Sequence, residues 1–97
     1  MDEHKPRNSF DIPAVFYFEV GNMHSGSRDQ LRFFITPADG MLHADTWNED
    51  VCYEIAQERG ILSGHADFPL SEEGFQQMIA FLQAEYDKNG ADSAKTV

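Results

Sequence analysis

The sequence predicts an α+β fold in which an antiparallel β-meander of three or four strands carries two α-helices packed on one face, in the order βββαα. Two observations lead to this prediction. In the first half of the chain, short runs of alternating or β-branched apolar residues are separated by turn-forming residues. In the C-terminal part, one long segment repeats its apolar residues every three or four positions, as an amphipathic helix does.

One folded domain is expected over residues 14–88. Ninety-seven residues suffice for a single hydrophobic core and are too few for two domains. The polar segment 1–13 contains Pro6 and Pro13 and is expected to be a flexible arm. Residues 89–97 are expected to form a disordered tail. The chain is 41% hydrophobic and 12% aromatic, which is enough to bury a core.

Three strands are predicted in the first half of the chain. Residues 14–20 are aromatic and β-branched, and the segment 21–29 that follows is rich in Gly and Ser and typical of a loop. Residues 30–36 alternate between two faces, and the turn-forming residues 37–40 lead into a third strand over residues 41–47. These segments predict an antiparallel meander.

A first helix is predicted over residues 48–60. Asn48 is expected to cap its start and Gly60 to end it in the left-handed conformation. Its apolar face would consist of Val51, Cys52, Ile55 and Ala56. A fourth strand is the alternative for residues 51–55, because Val51, Tyr53 and Ile55 also alternate.

The second helix is the clearest element of the sequence. Residues 61–69 are expected to be irregular or to contain a short strand near 66–68, and Ser71 then supplies an N-cap. The helix is expected to end near Lys88, before the stop signal Gly90. Its apolar stripe comprises Phe75, Met78, Ile79, Leu82 and Tyr86.

The charge of the chain restricts its partners. Seven Lys and Arg against 17 Asp and Glu give a formal net charge of −10. Such a field repels phosphate backbones, so nucleic-acid binding is not expected, and it attracts basic proteins or peptides. Because the sequence contains no long apolar run, neither membrane insertion nor a standard signal peptide is expected. With Cys52 as its one cysteine, the chain has no intramolecular disulfide, and a cytoplasmic location is expected.

The tripeptide His-Ala-Asp occurs twice, as His43 to Asp45 on the predicted third strand and as His65 to Asp67 in a predicted loop. Four such side chains are candidates for metal binding or acid/base catalysis. The sequence offers no reason for the loop to fold back onto the strand. Surface or core-edge positions are therefore the favoured interpretation of all four residues, and no metal or other cofactor is predicted.

Other candidate motifs fail on chemical grounds. Gly21 and Gly26 have the spacing of a phosphate-binding loop, but Ser27 and Arg28 stand where Lys and Ser or Thr are required. Cys52 lies in the predicted apolar helix face, where a thiol is expected to be buried and unreactive. The common hydrolase signatures are absent, so the sequence supports no enzymatic activity.

Two features suggest a partner-binding surface. If Phe16, Phe18, Phe33 and Ile35 face the helices, then Val15, Tyr17 and Phe34 point to the other side of the sheet, where polar residues are expected. The residues Asp50, Glu54 and Glu58 form an acidic row at helical spacing, a pattern that costs stability. A solvated face is the simpler explanation of this row, and a docking ridge is the alternative.

The favoured hypothesis is a small non-enzymatic interaction or regulatory protein. It would bind another protein through the apolar sheet face, the acidic ridge or both, with a homodimer as one form. An inhibitor or immunity-type protein for a basic partner is one concrete version. The alternative is a small metal-binding or hydrolytic enzyme that uses the two His-Ala-Asp segments.

Overall fold

The computed structural model describes residues 10–95, with side chains as far as Lys88. The described chain forms three helices and four strands, which alternate differently from the predicted βββαα order. The elements in chain order are α1 (Val15–Glu19), β1 (His24–Arg28), β2 (Leu31–Ala38), β3 (Met41–Trp47), α2 (Tyr53–Arg59), β4 (Gly64–Pro69) and α3 (Glu72–Lys95).

The four strands form one antiparallel sheet in the order β1-β2-β3-β4. Only two residues, Asp39 and Gly40, connect β2 to β3, and both have positive φ, at 56° and 73°. This is the backbone requirement of the tight hairpin turn that an Asp-Gly pair favours. The α+β class and the antiparallel sheet are therefore confirmed, and the optional fourth strand is present.

The prediction of a strand over residues 14–20 is wrong, because residues 15–19 form helix α1. On a helix, residues two apart point about 200° apart, so Phe16 and Phe18 do not share a face. Phe18 is fully buried, whereas Phe16 is 68% exposed. Strand propensity reflects how well a side chain fits a half-buried surface more than an intrinsic backbone preference. Here the packing of the Phe18 ring outweighs the strand propensity of residues 15–19.

Strand β1 occupies a segment predicted to be a loop. Its sequence, HSGSR, has little strand propensity, yet it pairs with β2 from His24↔Ile35 to Arg28↔Leu31. Gly26 allows this pairing at its centre, since a Cβ there would lie 2.9 Å from the ring of Phe33. The missing side chain makes room for a core phenyl ring, which is a common reason for Gly inside a strand.

The hydrophobic core lies between α3 and one face of the sheet. The sheet contributes alternate residues of β2 and β3, and α3 contributes the stripe that the sequence predicts. The predicted arm also contributes, because Phe10 and Ile12 are buried, so the packed domain includes residues before Ala14. Residues 1–9 lie outside the described chain. The buried sheet and α3 residues are Leu31, Phe33, Ile35, Leu42, Ala44, Phe75, Met78 and Leu82.

Helix α2 is shorter than predicted and is positioned differently. It begins at Tyr53, after an N-cap at Cys52 rather than Asn48, and Cys52 is exposed rather than buried. Gly60 ends it in the left-handed conformation, as predicted. Residues 53–55 are helical, which excludes the strand alternative for them. The two helices do not simply share one face of the sheet, because Tyr53 contacts the face opposite α3.

Helix α3 begins as predicted and ends later. The Ser71 hydroxyl accepts a hydrogen bond from the Gly74 amide at 3.1 Å, which is the expected capping contact. The helix then continues through Gly90 to Lys95, so the predicted end near Lys88 is wrong. Of the predicted disordered tail 89–97, residues 89–95 belong to α3, and Thr96 and Val97 lie outside the described residues.

The opposite environments of two phenyl rings on α1 provide a stability test. We expect Phe18→Ala to lower the free energy of unfolding by about 3–5 kcal/mol, because it empties a fully buried site. Phe16→Ala is the matched control and is expected to change it by less than about 0.5 kcal/mol. Urea unfolding measures both. Equal losses would show that the two rings share a face, as on a strand, and would contradict α1.

Candidate functional site

The candidate site lies on the face of the sheet opposite α3, called here the open face. Residues that alternate with the core positions of β2, β3 and β4 point to it. They are polar or aromatic rather than aliphatic at most positions. The central ones are Arg32, Phe34, His43, Asp45, Trp47, His65 and Asp67.

The two His-Ala-Asp segments lie side by side on this face. Strands β3 and β4 pair in the register His43↔Asp67, Ala44↔Ala66 and Asp45↔His65. Antiparallel pairing reverses one copy relative to the other, so each histidine lies opposite an aspartate. The prediction that His65 and Asp67 lie in a loop apart from the strand is wrong. We call His43, Asp45, His65 and Asp67 the His-Asp cluster.

Hydrogen bonds join the four side chains into a chain. His43 Nδ1 donates to Asp67 Oδ1 at 2.6 Å, and His65 Nε2 lies 3.1 Å from the same oxygen. The other ring nitrogen of His65, Nδ1, donates to Asp45 Oδ1 at 2.6 Å. Asp67 Oδ1 is therefore shared by two imidazole rings, and Asp45 holds one of these rings from its far side.

Two groups outside the cluster hold its ends. The phenol of Tyr53 donates to Asp45 Oδ2 at 3.3 Å, and the Ala38 carbonyl oxygen lies 3.3 Å from His43 Nε2. Asp45 is only 9% exposed, so its carboxylate needs the hydrogen bonds from Tyr53 and His65 to offset the cost of its burial. The cluster thus extends from the β2–β3 turn to the first residue of α2.

Within the cluster, the pKa values of His65 and Asp67 are shifted in directions that favour their charged forms. The hydrogen bond to Asp45 raises the pKa of His65 despite partial burial, and Asp67 adds to this effect. The hydrogen bond from His43 lowers the pKa of Asp67, and His65 contributes. The pKa of Tyr53 is raised by burial first and by the neighbouring Asp45 second. Tyr53 therefore stays a neutral hydrogen-bond donor at neutral pH.

These shifts have opposite consequences for stability. A raised pKa of His65 means that its contribution is present below the pKa of the unfolded chain and is lost as pH rises through the folded value. The lowered pKa of Asp67 means that its contribution is present above the unfolded value and is lost as pH falls through the folded one. Exposure of both side chains to solvent reduces these contributions.

A cleft of about 440 Å³ adjoins the cluster on the open face. Phe34 and Tyr53 stack in it with their ring centres 4.5 Å apart and their planes 22° apart. Trp47 lies beside them and donates its indole N–H to the Val51 carbonyl at 2.8 Å. The lining also includes Glu54 and Arg32, so the cleft combines aromatic walls with charged groups.

The predicted apolar partner surface does not exist as one face of the sheet. Val15 and Tyr17 lie on α1, where both are partly buried and pack against the core. Phe34 does lie on the open face, but Tyr53 covers one side of its ring. The large hydrophobic residues that are exposed among those described are Phe16, Val20 and Met23.

The predicted acidic ridge is also divided. Asp50 precedes α2 and forms an ion pair with Arg32 at 3.1 Å, whereas Glu54 and Glu58 are exposed on α2. Only Glu54 belongs to the cleft lining. Thus Phe34 and Glu54 lie in the cleft, Asp50 is paired with a lining residue, and Glu58 does not line it.

Sequence reasoning missed Tyr53, which contacts both the cluster and the cleft. It appeared only as one member of an alternating apolar pattern. A usable signal for the cluster was nevertheless present, since an antiparallel β4 beside β3 can place one His-Ala-Asp copy against the other. The fourth strand was an option in the prediction, but its register was not.

Comparisons with protein-family models, with curated proteins and with solved structures found no match. Among the described residues, no helix is long and apolar enough to cross a membrane. The functional interpretation therefore depends on the geometry of the open face.

The His65–Asp45 contact gives a test by NMR titration. We expect the pKa of His65 to be above its ordinary value in the native protein and to fall toward it in Asp45→Asn, because that variant removes the charged acceptor. Asp50→Asn is the matched control, since Asp50 bonds Arg32 instead. A pKa of His65 that is the same in all three proteins would contradict the contact.

Proposed function

We propose that this protein is a small non-enzymatic interaction module that binds a basic segment of another protein at the cleft on its open face. The observation that carries the proposal is the composition of the cleft. Phe34 and Tyr53 form its aromatic part beside the nearly buried Trp47, and Glu54 adds an exposed carboxylate. Aromatic faces and carboxylates together suit a guanidinium or ammonium group.

The overall charge supports the same partner class. A net charge of −10 speeds the approach of a cationic partner and slows the approach of nucleic acid or anionic lipid. Arg32 reduces the local negative charge, but Asp50 is paired with its guanidinium. The field around the cleft therefore favours Lys- or Arg-rich segments over acidic ones.

This proposal replaces the apolar sheet face with a smaller, mixed surface. A homodimer through Val15, Tyr17 and Phe34 loses its basis, because these residues do not share a face. An inhibitor or immunity-type role toward a basic protein remains one concrete version, and it uses the same negative field. A cytoplasmic location, supported by the free Cys52, is part of the proposal.

A basic peptide tests the proposal directly. We expect an acetylated and amidated penta-arginine peptide, titrated into the ¹⁵N-labelled protein, to shift the amide signals of Phe34 and Tyr53 and the indole signal of Trp47. Glu54→Lys should weaken binding about tenfold, which corresponds to about 1.4 kcal/mol. The effect should diminish at high salt, since part of the attraction is long-range.

Glu58→Lys is the matched control for this experiment. Glu54 and Glu58 are both exposed on α2, so the two variants change net charge equally, but only Glu54 lines the cleft. We expect Glu58→Lys to weaken binding by no more than about twofold through the general field. Equal effects of the two variants, or shifts confined to residues outside the cleft, would refute a specific site there.

A further inference from the structure

We propose that the His-Asp cluster is a binding site for a divalent transition-metal ion of the Zn²⁺ class, with His43, His65 and Asp67 as its protein ligands. This is a second property of the open face, and its three ligand residues do not line the cleft. It revives the metal-binding alternative, for which the sequence lacked any reason to bring the two His-Ala-Asp segments together.

Three potential ligand atoms converge in the His-Asp cluster. One ligand atom from each of His43, His65 and Asp67 lies within 4.8 Å of those of the other two. Asp67 Oδ1 is 2.6 Å from His43 Nδ1 and 3.1 Å from His65 Nε2. Around an ion with bonds of about 2.0–2.1 Å in tetrahedral geometry, such atoms are separated by roughly 3.3 Å. Small side-chain movements toward solvent would therefore open the site.

Each of the two histidines also has a partner for its outer ring nitrogen. A metal-bound imidazole usually donates its remaining N–H to a carboxylate or a backbone carbonyl, which orients the ring. The His65 nitrogen that faces away from Asp67 is bonded to the Asp45 carboxylate, and the corresponding nitrogen of His43 faces the Ala38 carbonyl. Both rings therefore already have the outer contacts that leave their inner nitrogens available to an ion.

The ligand set indicates the class of ion. Imidazole nitrogens suit Zn²⁺, Cu²⁺, Fe²⁺ and Ni²⁺, whereas Mg²⁺ and Ca²⁺ prefer sites made of oxygen ligands. Three protein ligands leave at least one coordination position for water. The side chains of His65 and Asp67 are 53% and 44% exposed, so this position would face solvent. An exposed three-ligand site predicts moderate rather than very tight affinity.

Titration of ZnCl₂ into the full-length protein tests the site. We expect one ion to bind, with its stoichiometry and affinity measured by calorimetry, and to shift or broaden the ring signals of His43 and His65 together. His65→Gln and Asp67→Asn should each weaken binding at least about tenfold, since each removes one of three ligands. Asp45→Asn should weaken it about 10- to 100-fold through His65.

Two controls make the result decisive. Asp50→Asn removes a carboxylate outside the cluster and should leave Zn²⁺ affinity unchanged. MgCl₂ should produce no comparable ring shifts, because the site is nitrogen-rich. If a ligand variant fails to fold, the shifts of the native protein still locate the ion. Two results would overturn the proposal. In the first, Zn²⁺ leaves the ring signals of both histidines unmoved; in the second, it binds the double variant His65→Gln/Asp67→Asn as tightly as the native protein.

Discussion

The register between β3 and β4 is the constraint on which the open face depends. It places His43 opposite Asp67 and Asp45 opposite His65. Because side chains alternate along a strand, a slip of one residue would move the β4 members of the cluster to the core face. The same register keeps Leu42 opposite Phe68 on the side of α3, so packing of the core and pairing of the cluster specify one alignment.

The chain between the two strands also serves this arrangement. It contains α2, whose first residue returns to the open face, where Tyr53 bonds Asp45 and stacks on Phe34. Gly60 then ends the helix in a left-handed conformation, and the chain leads into β4. Tyr53 consequently connects the His-Asp cluster with the cleft, and a change in one is physically able to affect the other.

An acidic protein with a nearly buried aspartate requires specific compensation. Asp45 receives hydrogen bonds from the imidazole of His65 and the phenol of Tyr53. Removal of one partner of a buried charge is generally more costly than the pair is stabilising, because the remaining charge is left without a counterpart. His65 therefore has a structural role as a partner of Asp45, and the proposed metal site would use the same contact.

The sequence by itself determined the elements with strong local signals: the alternation of β2 and β3, a turn within residues 37–40, the end of α2 at Gly60 and the Ser71 cap of α3. Only the tertiary structure decided that residues 15–19 are helical, that HSGSR is a strand and that the two His-Ala-Asp segments meet. The physical reason is the range of the interactions. Turns and caps depend on neighbouring residues, whereas burial of Phe18, the fit of Phe33 over Gly26 and the β3–β4 register depend on contacts between distant parts of the chain.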